Sequence, residues 1–197
     1  MPSRRTSLAC MVWCWLCAAL LVAGCEKPAE PALPARAKPL VFASNPFLAA
    51  MVRELAADAV DLHEPWRAAG GDPAYWRPSG DEIRAVQSCD LVLLNGAGFE
   101  KWAEQAALPR ARTIDTTAAA RAQLIEEVGE THSHGPEGEH SHGGTAFTTW
   151  LSPAIARVQM TAVAEGLSRI APARAAAFGV RAKELHESFN ALDERLK

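Results

Sequence analysis

Two kinds of hydrophobic pattern alternate along the chain. Residues 40–44 form an unbroken apolar run suited to a strand covered on both faces, and the Asn45-Pro46 pair after it predicts a helix start. That helix carries Phe47, Leu48, Met51, Val52 and Leu55 on one side. Val60-Asp61-Leu62 predicts a second strand, and Gly70-Gly71-Asp72-Pro73 a loop. Ser79-Gly80-Asp81-Glu82 has the form of a capping box, with Ile83 and Val86 at helical spacing behind it. Residues 90–96 hold four consecutive aliphatics, the pattern of a buried parallel strand. A helix over about 99–107 and a strand at 112–115 are predicted to complete a further unit. Ser152-Pro153 then opens a helix with Ile155, Val158, Ala162, Val163, Leu167 and Ile170 on its stripe. After the Ala171-Pro172 break, Phe178, Ala182, Leu185, Phe189, Leu192 and Leu196 recur every three or four residues to the end. The fold class is therefore α/β, a parallel β-sheet flanked by helices and ending in a long helix of about 36 Å.

The first residues belong to a different class. Arg4 and Arg5 precede an apolar run over 8–23, short of the roughly 20 residues that span a bilayer, so residues 1–24 read as an export signal. Without them, 18 basic residues face 23 acidic ones, a formal charge of −5 that excludes an electrostatic footprint for nucleic acid. Leu21-Val22-Ala23-Gly24-Cys25 resembles the lipobox of bacterial lipoproteins, which makes Cys25 the expected site of lipid attachment and predicts an extracytoplasmic, membrane-anchored protein. Pro28, Pro31 and Pro34 mark residues 25–38 as a semi-stiff linker. Cys89 is the one thiol left in the body, so no disulfide framework exists, and its apolar neighbours predict a small buried hydrophobe.

Candidate chemistry is concentrated in histidine. Four of the six histidines, His132, His134, His140 and His142, fall in a segment containing Gly135, Pro136, Glu137 and Glu139. Residues i and i+2 of an extended segment project from one side, so each His-x-His pair can present two imidazoles together, and neutral imidazole suits Zn, Cu and Ni. Glu137 and Glu139 can add an oxygen ligand or orient a histidine. A solvated loop with merely polar histidines is the other reading. A catalytic zinc hydrolase is disfavoured, because Gly135 and Pro136 stand where such a motif needs Asp and His. His63 and Glu64 close the second strand and can join a metal site with Asp72 or form a surface pair. Trp66, Tyr75 and Trp76 can wall a cleft or pack a long loop, while His186 on the last helix reads as a solvated side chain.

Gly71-Asp72-Pro73 with Pro78-Ser79, residues 90–96, Phe99-Glu100-Lys101-Trp102 and Trp150-Leu151-Ser152-Pro153 together resemble the substrate-binding lipoproteins of zinc and manganese ABC transporters, over residues 40–197. That family joins two α/β lobes by one long helix, with the metal between them. The resemblance implies an N-terminal lobe over 39–171, with a His-rich loop at 129–147, and a linking helix over 172–197, the second lobe being absent. It also places ligand histidines directly after Asp72-Pro73 and two residues before Trp150, where this chain has Ala74 and Thr148. Neither side chain can replace an imidazole that zinc binds at about 2.0–2.1 Å.

The expected function is a lipid-anchored, non-enzymatic metal-binding component of an ABC uptake system. It would carry zinc, with manganese, copper or nickel possible, on His132, His134, His140, His142 and His63, and pass it to a permease and its ATPase. A stand-alone periplasmic metal buffer or chaperone, or a truncated homologue that binds nothing, are the alternatives. The apolar stripe from Leu185 to Leu196 predicts contact with a second lobe or self-association.

Overall fold

The computed structural model describes residues 36–127, 131–133, 139–141 and 144–197. The expected signal, the lipid site Cys25, most of the linker and the candidate ligands His134 and His142 lie outside the described residues. Four strands form a parallel sheet in the order β2-β1-β3-β4, with β1 at Leu40–Ala43, β2 at Asp61–His63, β3 at Leu91–Leu94 and β4 at Thr113–Asp115. β1 is paired on both sides: Phe42 lies opposite His63 on one and Val92 on the other. The second strand starts one residue later than its apolar pattern suggests, because the Asp61 amide bonds to the Pro39 carbonyl and sets that register.

Alternate residues of β1 and β3 supply two cores. Val41, Ala43, Leu91 and Leu93 face α1 (Pro46–Ala56), α4 (Pro153–Ile170) and α5 (Ala175–Leu196), burying Leu48, Val52, Met160, Val163, Leu167 and Phe178. Phe42 and Val92 face the other layer, with Trp66 from the single turn α2 (Trp66–Ala69), Trp76, and Val86 from α3 (Gly80–Gln87). The starts are capped as their residues predict. Asn45 Oδ1 accepts the Leu48 amide at 2.8 Å, and the Ser79–Glu82 capping box forms in both directions. Ser152 accepts the Ile155 amide at 3.4 Å, with Pro153 as the first helical residue.

α4 lies close on the sheet because Gly166 leaves room for it: a Cβ there would sit 2.8 Å from Ile114 Cδ1 and 3.0 Å from Leu91 Cδ2. Its buried face is also rotated from the expected stripe. Ala156, Gln159 and Met160 are buried, while Val158 and Ala162 are only half-buried. α5 packs along α4 and α1, and ion pairs from Arg181 to Glu54, Arg157 to Asp193 and Arg174 to Asp58 fasten it at the surface. Leu185 and Phe189 rest on this lobe's own core rather than awaiting another, whereas Leu192 and Leu196 are 41% and 66% exposed.

The helix expected at 99–107 is a single 3-10 turn, Lys101–Glu104. Gly96, Ala97 and Gly98 all have positive φ, and the Glu100 carboxylate is held back against the strand end instead of being free to cap. Two short ribbon pairs follow β4 in sequence: β5 (Glu126–Glu127) with β8 (Gly144–Thr145), and β6 (Thr131–Ser133) with β7 (Glu139–Ser141), both antiparallel. Among the described residues no helix is long and apolar enough to cross a membrane.

Candidate functional site

The strand order reverses direction between β1 and β3, and in open parallel sheets the crevice at the carboxyl ends of such a pair is where ligands bind. Here β1 runs out into Ser44-Asn45 and β3 into Asn95-Gly96. Asn95 is fully buried and acts as a hub. Its Oδ1 accepts from Asn45 Nδ2 at 3.2 Å, from the Thr149 hydroxyl at 3.1 Å and from Gln159 Nε2 at 3.2 Å. Its own Nδ2 donates to the Phe147 carbonyl at 3.0 Å. Gln159 also donates to Thr116 Oγ1 at 3.0 Å, and Thr116 donates to the Leu94 carbonyl at 2.9 Å. One polar layer thus ties the ends of β1 and β3 to α4 and to the segment before it. Each group is satisfied by another, as buried polar atoms must be, so the layer braces the crevice floor rather than offering ligands.

Glu100 completes the floor. Its carboxylate accepts the Asn95 amide at 2.6 Å and the Gly96 amide at 3.1 Å. Burial pushes its pKa up to about 7, against the opposing pull of hydrogen bonds from Ser44, Asn95 and Gly96. The turn it holds requires glycine at 96, where φ is +80° and a Cβ would overlap Asp115 and Thr117.

Above this floor lies a recess of about 250 Å³ bounded by Asn45, Phe47, Asp72, Phe99 and Trp150. Its rings hold one another: Phe99 meets Trp150 edge-on at 5.8 Å and Phe147 at 5.5 Å, and Phe47 lies 6.4 Å from Trp150. It contains one carboxylate and no imidazole. Ala74, half-buried, donates its amide to Asp72 Oδ1 at 2.9 Å, and Thr148 is exposed just ahead of Thr149 in the polar layer. The structure therefore gives the two positions that the resemblance marks for histidine only backbone and hydroxyl chemistry.

The remaining candidates are dispersed. His63 sits on the Phe42 face of the sheet, its ring 6.3 Å from that of Phe42 and its Nε2 sealed without a partner. Burial lowers its pKa, Arg36 acting in the same direction and Glu82 against it. Glu64 pairs with Arg53 and Arg67, and Asp72 caps its own turn, so the three do not converge. Among the described residues no group of three or more His, Cys, Asp or Glu is placed to hold a metal ion. Trp66 packs in the core with its indole donating to the Ala43 carbonyl at 2.7 Å. His186 is half-buried rather than solvated, with Nε2 3.2 Å from Thr161 Oγ1, and burial next to Arg157 lowers its pKa. Cys89 is buried as its neighbours predict, and that burial pushes its thiol up to about 12.

The histidine segment presents one ordered feature. In the β6–β7 pair His132 stands directly opposite His140, flanked by Thr131 opposite Ser141 and Ser133 opposite Glu139. Sequence spacing alone pairs His132 with His134 and His140 with His142. The cross-strand pairing was not legible from it, since register depends on where the turn falls. Gln159, Glu100 and Thr149 were also missed. Gln159 had a signal, a lone polar residue in the plane of an apolar helix face, one turn from both Ile155 and Val163.

The family model described as zinc-uptake complex component A, periplasmic, matches residues 41–197. The high-affinity zinc uptake system protein ZnuA of Paracoccus denitrificans is 30% identical over 200 residues, covering 84% of this chain and 59% of that protein. Among solved structures, the periplasmic zinc binding protein TroA from Treponema pallidum superposes with a TM-score of 0.62 at 19% identity, over 80% of this chain and 53% of that one. The binding protein FpvC of Pseudomonas aeruginosa, solved with Mn²⁺, gives 0.59 at 21% identity, over 80% and 55%. The chain thus spans between half and three-fifths of these relatives' lengths, and the structural likenesses carry the fold alone. With the family model running unbroken from the first strand to the last helix, the chain belongs to the family of periplasmic zinc-uptake complex component A proteins.

Proposed function

We propose that this chain is the extracytoplasmic, lipid-anchored metal-binding component of an ABC-type uptake system, that its ion is zinc, and that the ion is held by histidines of the 132–142 segment rather than at the strand-end crevice. The observation that carries the choice of site is the register that sets His132 against His140. Directly opposed positions of an antiparallel pair belong to one face of the ribbon, so two histidine positions eight residues apart in sequence share a face. His134 and His142, each two residues in sequence from a member of this pair, complete the proposed set. The family supports the transport role, and the donor types support zinc, with copper, nickel or manganese as the other ions the segment can take. The crevice supports the same choice by exclusion, since its recess offers one carboxylate and three aromatic rings.

In this reading Cys25 carries the lipid, residues 25–38 space the lobe from the membrane, and the ion passes to a permease driven by its ATPase without any catalytic step. His63, sealed on the sheet face, is at most an accessory ligand. Zinc titration by calorimetry on the full chain tests the proposal, beside a variant with His132, His134, His140 and His142 all changed to Ala. About one equivalent bound by the parent and none by the variant is expected. Equal binding by both would move the site elsewhere, and no binding by either would remove the metal-receptor role from this chain.

A further inference from the structure

A second groove, separate from the crevice and from the histidine ribbon, opens on the other face of the sheet. It encloses about 770 Å³ between the 74–78 segment and the turn at Lys101–Glu104, within the size range of pockets that take small organic ligands. Trp76 and Trp102 form its inner wall. They meet edge-on at 5.3 Å, and both pack against the fully buried Phe42, at 6.1 Å and 6.0 Å, so the wall is rigid before anything binds. Tyr75 lines the groove at its mouth and is 74% exposed.

The polar chemistry of the groove is one-sided. Arg77, Lys101 and Gln105 line it, and no carboxylate does. Among the described residues neither Arg77 nor Lys101 has an ion pair, whereas Arg53 and Arg67 pair with Glu64, Arg84 with Asp81 and Arg181 with Glu54. The Trp76 and Trp102 indole N–H groups likewise have no acceptor among the described residues, and neither is sealed from solvent. Two free cations and two free indole donors around an aromatic wall call for a ligand with a flat apolar body and a negative end. The ring stacks on the wall, where offset and edge-on aromatic contacts are favourable, and the carboxylate meets the cations at the rim.

We infer that the groove walled by Tyr75, Trp76 and Trp102 and rimmed by Arg77 and Lys101 is a binding site for a small aromatic carboxylate. This is independent of the metal reading: no histidine lines the groove, and chelation plays no part in it.

The test uses 2-naphthoate as probe and 2-naphthamide as its neutral match, titrated into the full chain in chelator-treated buffer and followed by calorimetry and saturation-transfer NMR. Naphthoate is expected to bind at micromolar to low millimolar concentration, and naphthamide about tenfold or more weakly. The double variant Arg77→Ala, Lys101→Ala changes only exposed side chains, and it should lose about tenfold in naphthoate affinity with an unchanged near-ultraviolet spectrum. Tyr75→Ser should weaken both probes alike, and the four-histidine variant should bind naphthoate as the parent does. Equal affinity for the two probes, full affinity in the double variant, or no saturation transfer at millimolar naphthoate would each overturn the assignment.

Discussion

The polar layer under the crevice and the histidine ribbon both gather polar residues from distant parts of the chain, and they use them in opposite ways. At the strand ends, Asn95, Thr149, Gln159, Thr116 and Glu100 spend their donors and acceptors on one another and on backbone groups. In the ribbon, only the backbone pairing is fixed, and its register sets the His132 position against that of His140. A buried, fully satisfied network specifies structure, while histidine positions brought together by strand register are, in the proposed reading, kept for a ligand. The lesson is that polar residues in a crevice of the expected kind are not by that fact a binding site.

Breaking the hub should have the largest effect. Asn95→Ala removes the acceptor shared by Asn45, Thr149 and Gln159 and the donor to the Phe147 carbonyl, and a loss of about 3 kcal/mol in urea unfolding is expected. Zinc stoichiometry of the variant that remains folded should be unchanged if the ribbon is the site.

Glu100 gives the comparison a pH signature. Its folded pKa of about 7 lies above the ordinary 4.5, so the folded state holds the proton more tightly than the unfolded chain. Its contribution is fully present below about pH 4.5 and is lost as pH rises through 7, a change on the order of 3 kcal/mol. Glu100→Gln should flatten that decline in unfolding curves taken between pH 4.5 and 8. His63 acts in the other direction: its folded pKa lies below 6.5, so stability is lost as pH falls below that value. The variant therefore leaves the histidine limb, to which His63 and His186 both contribute, and an unchanged slope above pH 6.5 would contradict the burial assigned to Glu100.

Gly166→Ala sharpens the fit of α4 on the sheet. The added methyl meets Ile114 and Leu91 at about 3 Å, and a cost of about 1–3 kcal/mol is expected, although alanine favours the helix. The smallest effect belongs to the ribbon. Changing His132, His134, His140 and His142 to Ala should shift metal-free stability by no more than about 0.5 kcal/mol, measured by the same unfolding curves. A large loss would mean that these histidines are structural.

Local features were read well from the chain. The Asn45-Pro46 start, the Ser79–Glu82 capping box, the Ser152-Pro153 start and the break at Ala171-Pro172 all depend on residues within one turn of each other, and all appear where expected. The helix expected at 99–107 is cut to one turn because Glu100 is pulled back onto the Asn95 and Gly96 amides, a contact that apolar spacing does not encode. The stripe of the last helix predicts contact with a second lobe or self-association, yet Leu185 and Phe189 pack on the core of this lobe and only Leu192 and Leu196 stay exposed.

What the sequence determined by itself is the α/β class, the order of its elements, their caps and the burial of Cys89, because periodicity and capping are short-range. What only the tertiary structure decided is convergence: Gln159 reaching Asn95 across 64 positions, His132 standing against His140, His63 sealed beside Phe42, and the unpaired Arg77 and Lys101 sharing one groove. Those meetings depend on strand order, register and the angle at which a helix lies on a sheet. None of these leaves a mark in the local spacing of residues, since each is fixed by contacts between segments far apart in the chain.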